Sequence, residues 1–166
     1  MTKPEAFLNA QNKLASYDQE TRNLMLDAME FDNVYNKRFT LPEIVYLLRN
    51  SFKERITYYE VFGKDGMESR DGIDPSTGFC MVSSYLIYSL TGGNKVWELN
   101  GTFLHWWLYH KQSHTIFDIT NTQFKPKELQ AHYQNGQPVN KLKTDPMFHD
   151  ILKQKAHILA HCAGIE

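Results

Sequence analysis

Between Pro4 and Phe31 the apolar residues Phe7, Leu8, Leu14, Leu24, Met25, Leu26, Ala28 and Met29 recur at helical spacing, with a polar break from Ser16 to Thr21. Two helices are predicted there. The next pattern opens at Thr40, followed by Leu41, Pro42 and Glu43, a helix start with Thr40 as N-cap, proline in the first turn and a capping box closed by Glu43. Ile44, Val45, Leu47, Leu48 and Phe52 then form one buried stripe, which carries the helix into the early fifties. From Gly63 to Gly78 the glycine- and aspartate-rich stretch GKDGMESRDGIDPSTG predicts a loop.

Phe79 to Leu90 (FCMVSSYLIYSL) has the spacing of a mostly buried helix, with Ser76 or Thr77 as its cap and Gly92-Gly93 as its stop. Strands are predicted around Val96 to Leu99, from Phe103 to His110 and from Thr115 to Thr120. Helical patterning returns over Leu129 to Tyr133 and Met147 to Ala163, separated by a polar loop at Asn135 to Pro138. The sum is one α+β domain over residues 1–166. Its parts are a helical N-terminal extension (1–39), a core (40–124) and a C-terminal helical segment (125–166), with no internal repeat or linker.

Composition narrows the classes. A length of 166 residues, 42% hydrophobic and 22% charged, fits a single folded core. A formal charge of −1 supplies no field for nucleic acid or an anionic membrane. The N-terminal stretch lacks the apolar run of a signal peptide and no later run is long enough to span a bilayer, so a cytoplasmic protein is expected. Two cysteines, Cys80 and Cys162, cannot build a disulfide framework, and a free thiol is the chemically interesting group.

Cys80 falls in the first turn of its predicted helix, where the amide dipoles favour a thiolate. Period-two alternation puts Phe103, His105, Trp107 and Tyr109 on one strand face, and Leu104, Trp106, Leu108 and His110 on the other. A hairpin turning at Lys111-Gln112 would set Asp118 directly opposite His105; a slip of two residues would leave them diagonal neighbours. A carboxylate there would orient the imidazole, and the imidazole would activate the thiol.

The stretch DPSTGFC (Asp74 to Cys80), the Gly92-Gly93 pair, His105-x-Trp107 and the run FDITNTQF (Phe117 to Phe124), together with the helix TLPEIVYLLRNSF, resemble the YunG-like family of small bacterial proteins. That family is similar to papain-like and transglutaminase-like proteins in its order of Cys on a helix, His on one strand and an acid on the next. The resemblance implies a papain/transglutaminase-like fold, a Cys80–His105–Asp118 triad, no cofactor, and peptidase, deamidase or acyl-transfer chemistry on a peptide, protein or small amide. The family pattern has glutamine just before the cysteine, where this chain has Phe79. An oxyanion donor would then come from backbone N–H groups at the helix start or from Gln123, which also reads as a turn and cap residue. Phe79, Trp107 and Gln123 are the candidate substrate contacts. The rival reading is an inactive papain-like module whose aromatic cleft holds a peptide or protein.

Other constellations are weaker. His157 and His161 share a helix face, but Cys162 points elsewhere, so no metal site is expected from them or from His149 upstream. The glycine-rich loop lacks the Lys-Ser/Thr of a phosphate-binding loop.

Overall fold

The computed structural model describes residues 18–31 and 36–165. The first predicted helix, through Leu14, lies outside the described residues; the second is helix α1, Gln19–Met29. Asp18 caps it by accepting from the Thr21 amide at 2.8 Å, and Leu24, Met25 and Ala28 form the buried stripe. Helix α2, Leu41–Phe52, packs against α1 with Pro42 in its first turn. The expected capping box does not form: the Thr40 side chain makes no capping hydrogen bond.

A short helix α3, Arg55–Phe62, follows where periodicity gave no element, since only Thr57 and Val61 are buried in its eight residues. Helix α4, Cys80–Leu90, packs against the sheet and against the long C-terminal helix α7, Pro146–Cys162. Between them lie α5, Pro126–Asn135, and the single turn α6, Lys141–Thr144.

The sheet is antiparallel, in the order β3-β2-β1-β4. Strand β1 is Trp97–Gly101, β2 is Trp106–His110, β3 is Thr115–Phe117, and β4 is the residue pair Gln137–Pro138. β4 falls in the expected polar loop. It joins the sheet because Val139 N–H donates to the Leu99 carbonyl at 2.8 Å beside the Asn100↔Pro138 pair.

Two strands are shorter than their patterns, and β3, expected to run to Thr120, ends at Phe117, which leaves Asp118 just past it. The stretch expected to begin at Phe103 begins at Trp106, because Thr102 N–H donates to the His105 carbonyl at 2.8 Å and closes a turn. Phe103, on that turn, is 99% exposed and does not flank His105 on a strand face. The β2–β3 connection turns later than Lys111-Gln112, at His114 with φ 56°, so Leu108 pairs with Phe117 and His110 with Thr115. Relative to the expected register this is a slip of two residues, which preserves every side chain's face.

The core lies between the helices and the sheet. Leu41, Ile44, Val45 and Leu48 of α2, Phe79, Leu86 and Ile87 around α4, and Trp97, Leu108 and Ile119 of the sheet region are almost wholly buried. Phe31 joins α1 to the sheet by packing on Trp97, His110 and Phe117, with ring centroids 4.7–5.7 Å away.

Candidate functional site

The loop before α4 is a built delivery segment. Asp74 Oδ1 accepts from the Ser76 amide at 2.9 Å and from its hydroxyl at 2.5 Å, so Ser76 serves the loop rather than capping the helix. The Arg70 guanidinium donates to the carbonyls of Thr77 (2.5 Å) and Pro75 (2.9 Å) while lying 4.2 Å from the Tyr58 ring centroid. Gly78, at φ 89°, supplies the left-handed residue that turns the chain into the helix. Phe79 then takes the N-cap position and Cys80 is the first residue of α4.

His105 ends the β1–β2 turn and Asp118 follows β3. Register makes them diagonal rather than opposed, and His105 Nε2 lies 2.6 Å from Asp118 Oδ2. Asp118 is saturated with donors: Oδ1 accepts from the Thr120 amide (3.1 Å) and hydroxyl (3.3 Å), and Oδ2 accepts from His105 and from the Tyr133 hydroxyl (2.8 Å). Four donors on a buried carboxylate hold it in one orientation. The loop carrying it is tied to the helical layer by buried Arg49, which donates to Thr21 Oγ1 (3.2 Å), the Ile119 carbonyl (3.4 Å) and Thr122 Oγ1 (2.9 Å).

With Nε2 committed to Asp118, Nδ1 is the ring nitrogen left for the thiol. Burial opposes a charge on His105, yet interactions with Asp118 and with the nearby Cys80 side chain outweigh it and raise the pKa to about 9. That direction favours the imidazolium, the form that would stabilise a thiolate beside it. Gln123 Nε2 lies 3.4 Å from Nδ1 and donates to Thr120 Oγ1 at 3.0 Å. Phe124 meets the imidazole edge-on at 4.8 Å, and the Trp107 and His132 rings each lie 5.6 Å away.

The three side chains are buried: Cys80 is 6%, Asp118 4% and His105 0% exposed. Of the three residues expected to contact substrate, only Gln123 keeps partial exposure. Phe79 is fully buried, stacked 4.5 Å from Phe52 and packed on Phe62 and Tyr58. Trp107 is buried between His105 and Tyr133. No local sequence pattern marks Tyr133, His132 or Phe124 for the site. They come from or beside α5, whose helical pattern was legible but whose docking on the sheet depends on long-range contacts.

Elsewhere, Cys162 near the end of α7 has its pKa raised by burial and by nearby Glu60. Among the described residues no group of three or more His, Cys, Asp or Glu side chains is arranged to hold a metal ion, and no helix is long and apolar enough to cross a membrane. Comparison with known proteins found no family model, no curated protein and no solved structure that matches the chain. The fold and site together define an α+β domain with a buried Cys–His–Asp cluster.

Proposed function

We propose that the protein is a thiol-dependent hydrolase or acyltransferase acting on amides or thioesters, with a papain/transglutaminase-like arrangement of Cys80, His105 and Asp118. The observation that carries this reading is the 2.6 Å bond between His105 Nε2 and Asp118 Oδ2, which fixes the ring with Nδ1 available to the thiol. The Asp74–Cys80 and Phe117–Phe124 segments, on which the YunG-like resemblance rests, carry the thiol and the carboxylate.

The Cys80 thiolate attacks the substrate carbonyl carbon, and the carbonyl π pair moves to oxygen. Backbone N–H groups at the start of α4 and the Gln123 amide are the donors for that oxyanion. The intermediate collapses with cleavage of the bond to the leaving group, which takes the proton of His105 Nδ1 and leaves an acyl-thioester on Cys80. Water or an amine then gives a proton to neutral His105 and attacks the thioester, so the same site serves hydrolysis, deamidation or acyl transfer. The rival binding-module reading draws no support from Phe79 and Trp107, which offer no open aromatic surface.

The test is alkylation of Cys80 by iodoacetamide as a function of pH, read by peptide mass spectrometry with Cys162 as the reference thiol in the same chain. Burial lowers the rate at every pH, whereas ionisation sets the midpoint, so the midpoint is the readout. A Cys80 midpoint well below that of Cys162, moved upward by His105→Ala, is expected. A midpoint shared with Cys162 and unmoved by that substitution overturns the reading. Cys80-dependent turnover in an amide and thioester library then separates hydrolysis from transfer.

A further inference from the structure

Helix α5 raises a question of purpose. None of its ten residues is buried, and it is undercut on both sides. An open groove of about 610 Å³ separates it from α1, walled in part by Leu24, Phe124, Leu129 and Tyr133, and a shallower one of about 310 Å³ separates it from the β1–β2 turn at Phe103 and Leu104. A helix that buries so little is held by specific contacts. Here they converge on the triad: Tyr133 packs edge-on against Trp107 at 5.0 Å, His132 Nδ1 lies 2.8 Å from Thr102 Oγ1, and the Tyr133 hydroxyl donates to Asp118.

We propose that Tyr133 is a positioning residue of the triad, its hydroxyl holding Asp118 Oδ2 in line with His105 and its ring keeping the water of the neighbouring groove off that carboxylate. This inference rests on the thiol-enzyme reading for its consequence, though not for its geometry. The two donors on Oδ2, His105 Nε2 at 2.6 Å and Tyr133 at 2.8 Å, fill both acceptor positions of that oxygen. Thr120 fills those of Oδ1 at 3.1 and 3.3 Å, so the carboxylate cannot rotate without breaking bonds. Among the residues bonded to Asp118, Tyr133 is the one that also lines the larger groove. Loss of the hydroxyl frees one acceptor position toward the groove and lets water in. A hydrated carboxylate attracts the imidazolium less, because local screening rises. Tyr133 never touches the reacting atoms; it acts on Cys80 through Asp118 and His105.

The test is NMR titration of the His105 imidazole in the Cys80→Ala background, with and without Tyr133→Phe, beside the alkylation profile of Cys80 in the otherwise native chain. Tyr133→Phe removes one oxygen and keeps the ring against Trp107. It is expected to lower the His105 pKa by about one unit or more and to move the Cys80 alkylation midpoint upward. Tyr109→Phe, which removes a hydroxyl bonded to exposed His114, is the control and is expected to move neither. A His105 titration unchanged by Tyr133→Phe, in a chain that stays folded, overturns the proposal, since a merely structural tyrosine would alter stability alone. Should that variant unfold, Tyr133→Leu is read in the same way. If Cys80 of the native chain titrates as an ordinary thiol, the thiol-enzyme reading falls while the imidazole titration still decides the role of Tyr133.

Discussion

The indole of Trp107 occupies the space in which a side chain at Gly136 would begin: a Cβ there would overlap Cζ2 and Cη2 of the ring. This contact seats the C-terminal end of α5 on the sheet, one residue past the helix and three past Tyr133. The same indole lies 5.6 Å from the His105 ring, so a single rigid side chain connects the helix that bears Tyr133 to the imidazole.

Gly136→Ala is therefore expected to push α5 off Trp107. The indole is buried and cannot yield cheaply, so the overpacking costs on the order of 1–3 kcal/mol. Urea denaturation gives the cost, and the Cys80 alkylation profile gives the functional consequence, an upward shift as the Tyr133–Asp118 bond lengthens. A variant as stable as the parent, with an unmoved profile, would show that the contact constrains nothing.

Stability should depend on pH through His105. Its folded pKa, about 9, exceeds the ordinary histidine value, because Asp118 and Cys80 outweigh the opposing effect of burial. The contribution is therefore fully present below about pH 6.5 and is lost as pH rises through about 9. With the ring wholly buried, the loss is on the order of 3 kcal/mol between about pH 6 and pH 10. Urea midpoints across that window should fall more steeply for the native chain than for Asp118→Asn, which lacks the carboxylate charge. Parallel slopes for the two proteins would remove Asp118 as the source of the shift.

Much of this site could be read from local patterns, and what could not follows from their locality. Cys80 at a helix start is visible in a short window of sequence, and so are the strand patterns around His105 and Asp118, although the two residues lie just before β2 and just after β3 rather than on the expected strands. The His105–Asp118 contact tolerated a two-residue error in the assumed turn because such a slip keeps the face of every side chain. Phe103 was misplaced because an alternating apolar pattern does not reveal a tight turn closed by Thr102 and His105. Helix α3 buries too few of its residues to carry a stripe, and β4 exists only because β1 offers it an edge. Tyr133 reaches Asp118 across the fold from a helix with no buried face, and no sequence period encodes such a contact.

Asp118→Asn also tests the wiring of the carboxylate. All four bonds reaching Asp118 are donated to it, so an amide nitrogen on either side meets a donor. One buried polar group is left without a partner, or His105 changes tautomer to accept. The first outcome costs about 1–3 kcal/mol, and the second removes Nδ1 as the acceptor for the thiol proton in the neutral ring. Thermal melting and the Cys80 alkylation profile should both register the change, with turnover falling further than stability. Full activity in the variant would place the triad's acid elsewhere.

Placing glutamine at position 79, as in the YunG-like pattern that the chain resembles, is expected to damage the protein rather than improve it. The Phe79 side chain points into the core, stacked on Phe52 at 4.5 Å with an interplanar angle of 21°, and it packs on Phe62 at 5.3 Å and Tyr58 at 5.9 Å. Removing an aromatic ring from such a position costs about 3–5 kcal/mol, and burying an amide among these rings adds a desolvation penalty. Phe79→Gln should thus lower the melting temperature sharply without raising turnover. In the proposed mechanism that donor is Gln123, which lies 3.4 Å from His105 Nδ1 and donates to Thr120 Oγ1. Gln123→Leu should leave the Cys80 alkylation midpoint almost unmoved while lowering turnover by roughly two orders of magnitude, the signature of a lost oxyanion donor. If Phe79→Gln instead folds normally and turns over faster, the oxyanion contact belongs at position 79 and the assignment of Gln123 fails.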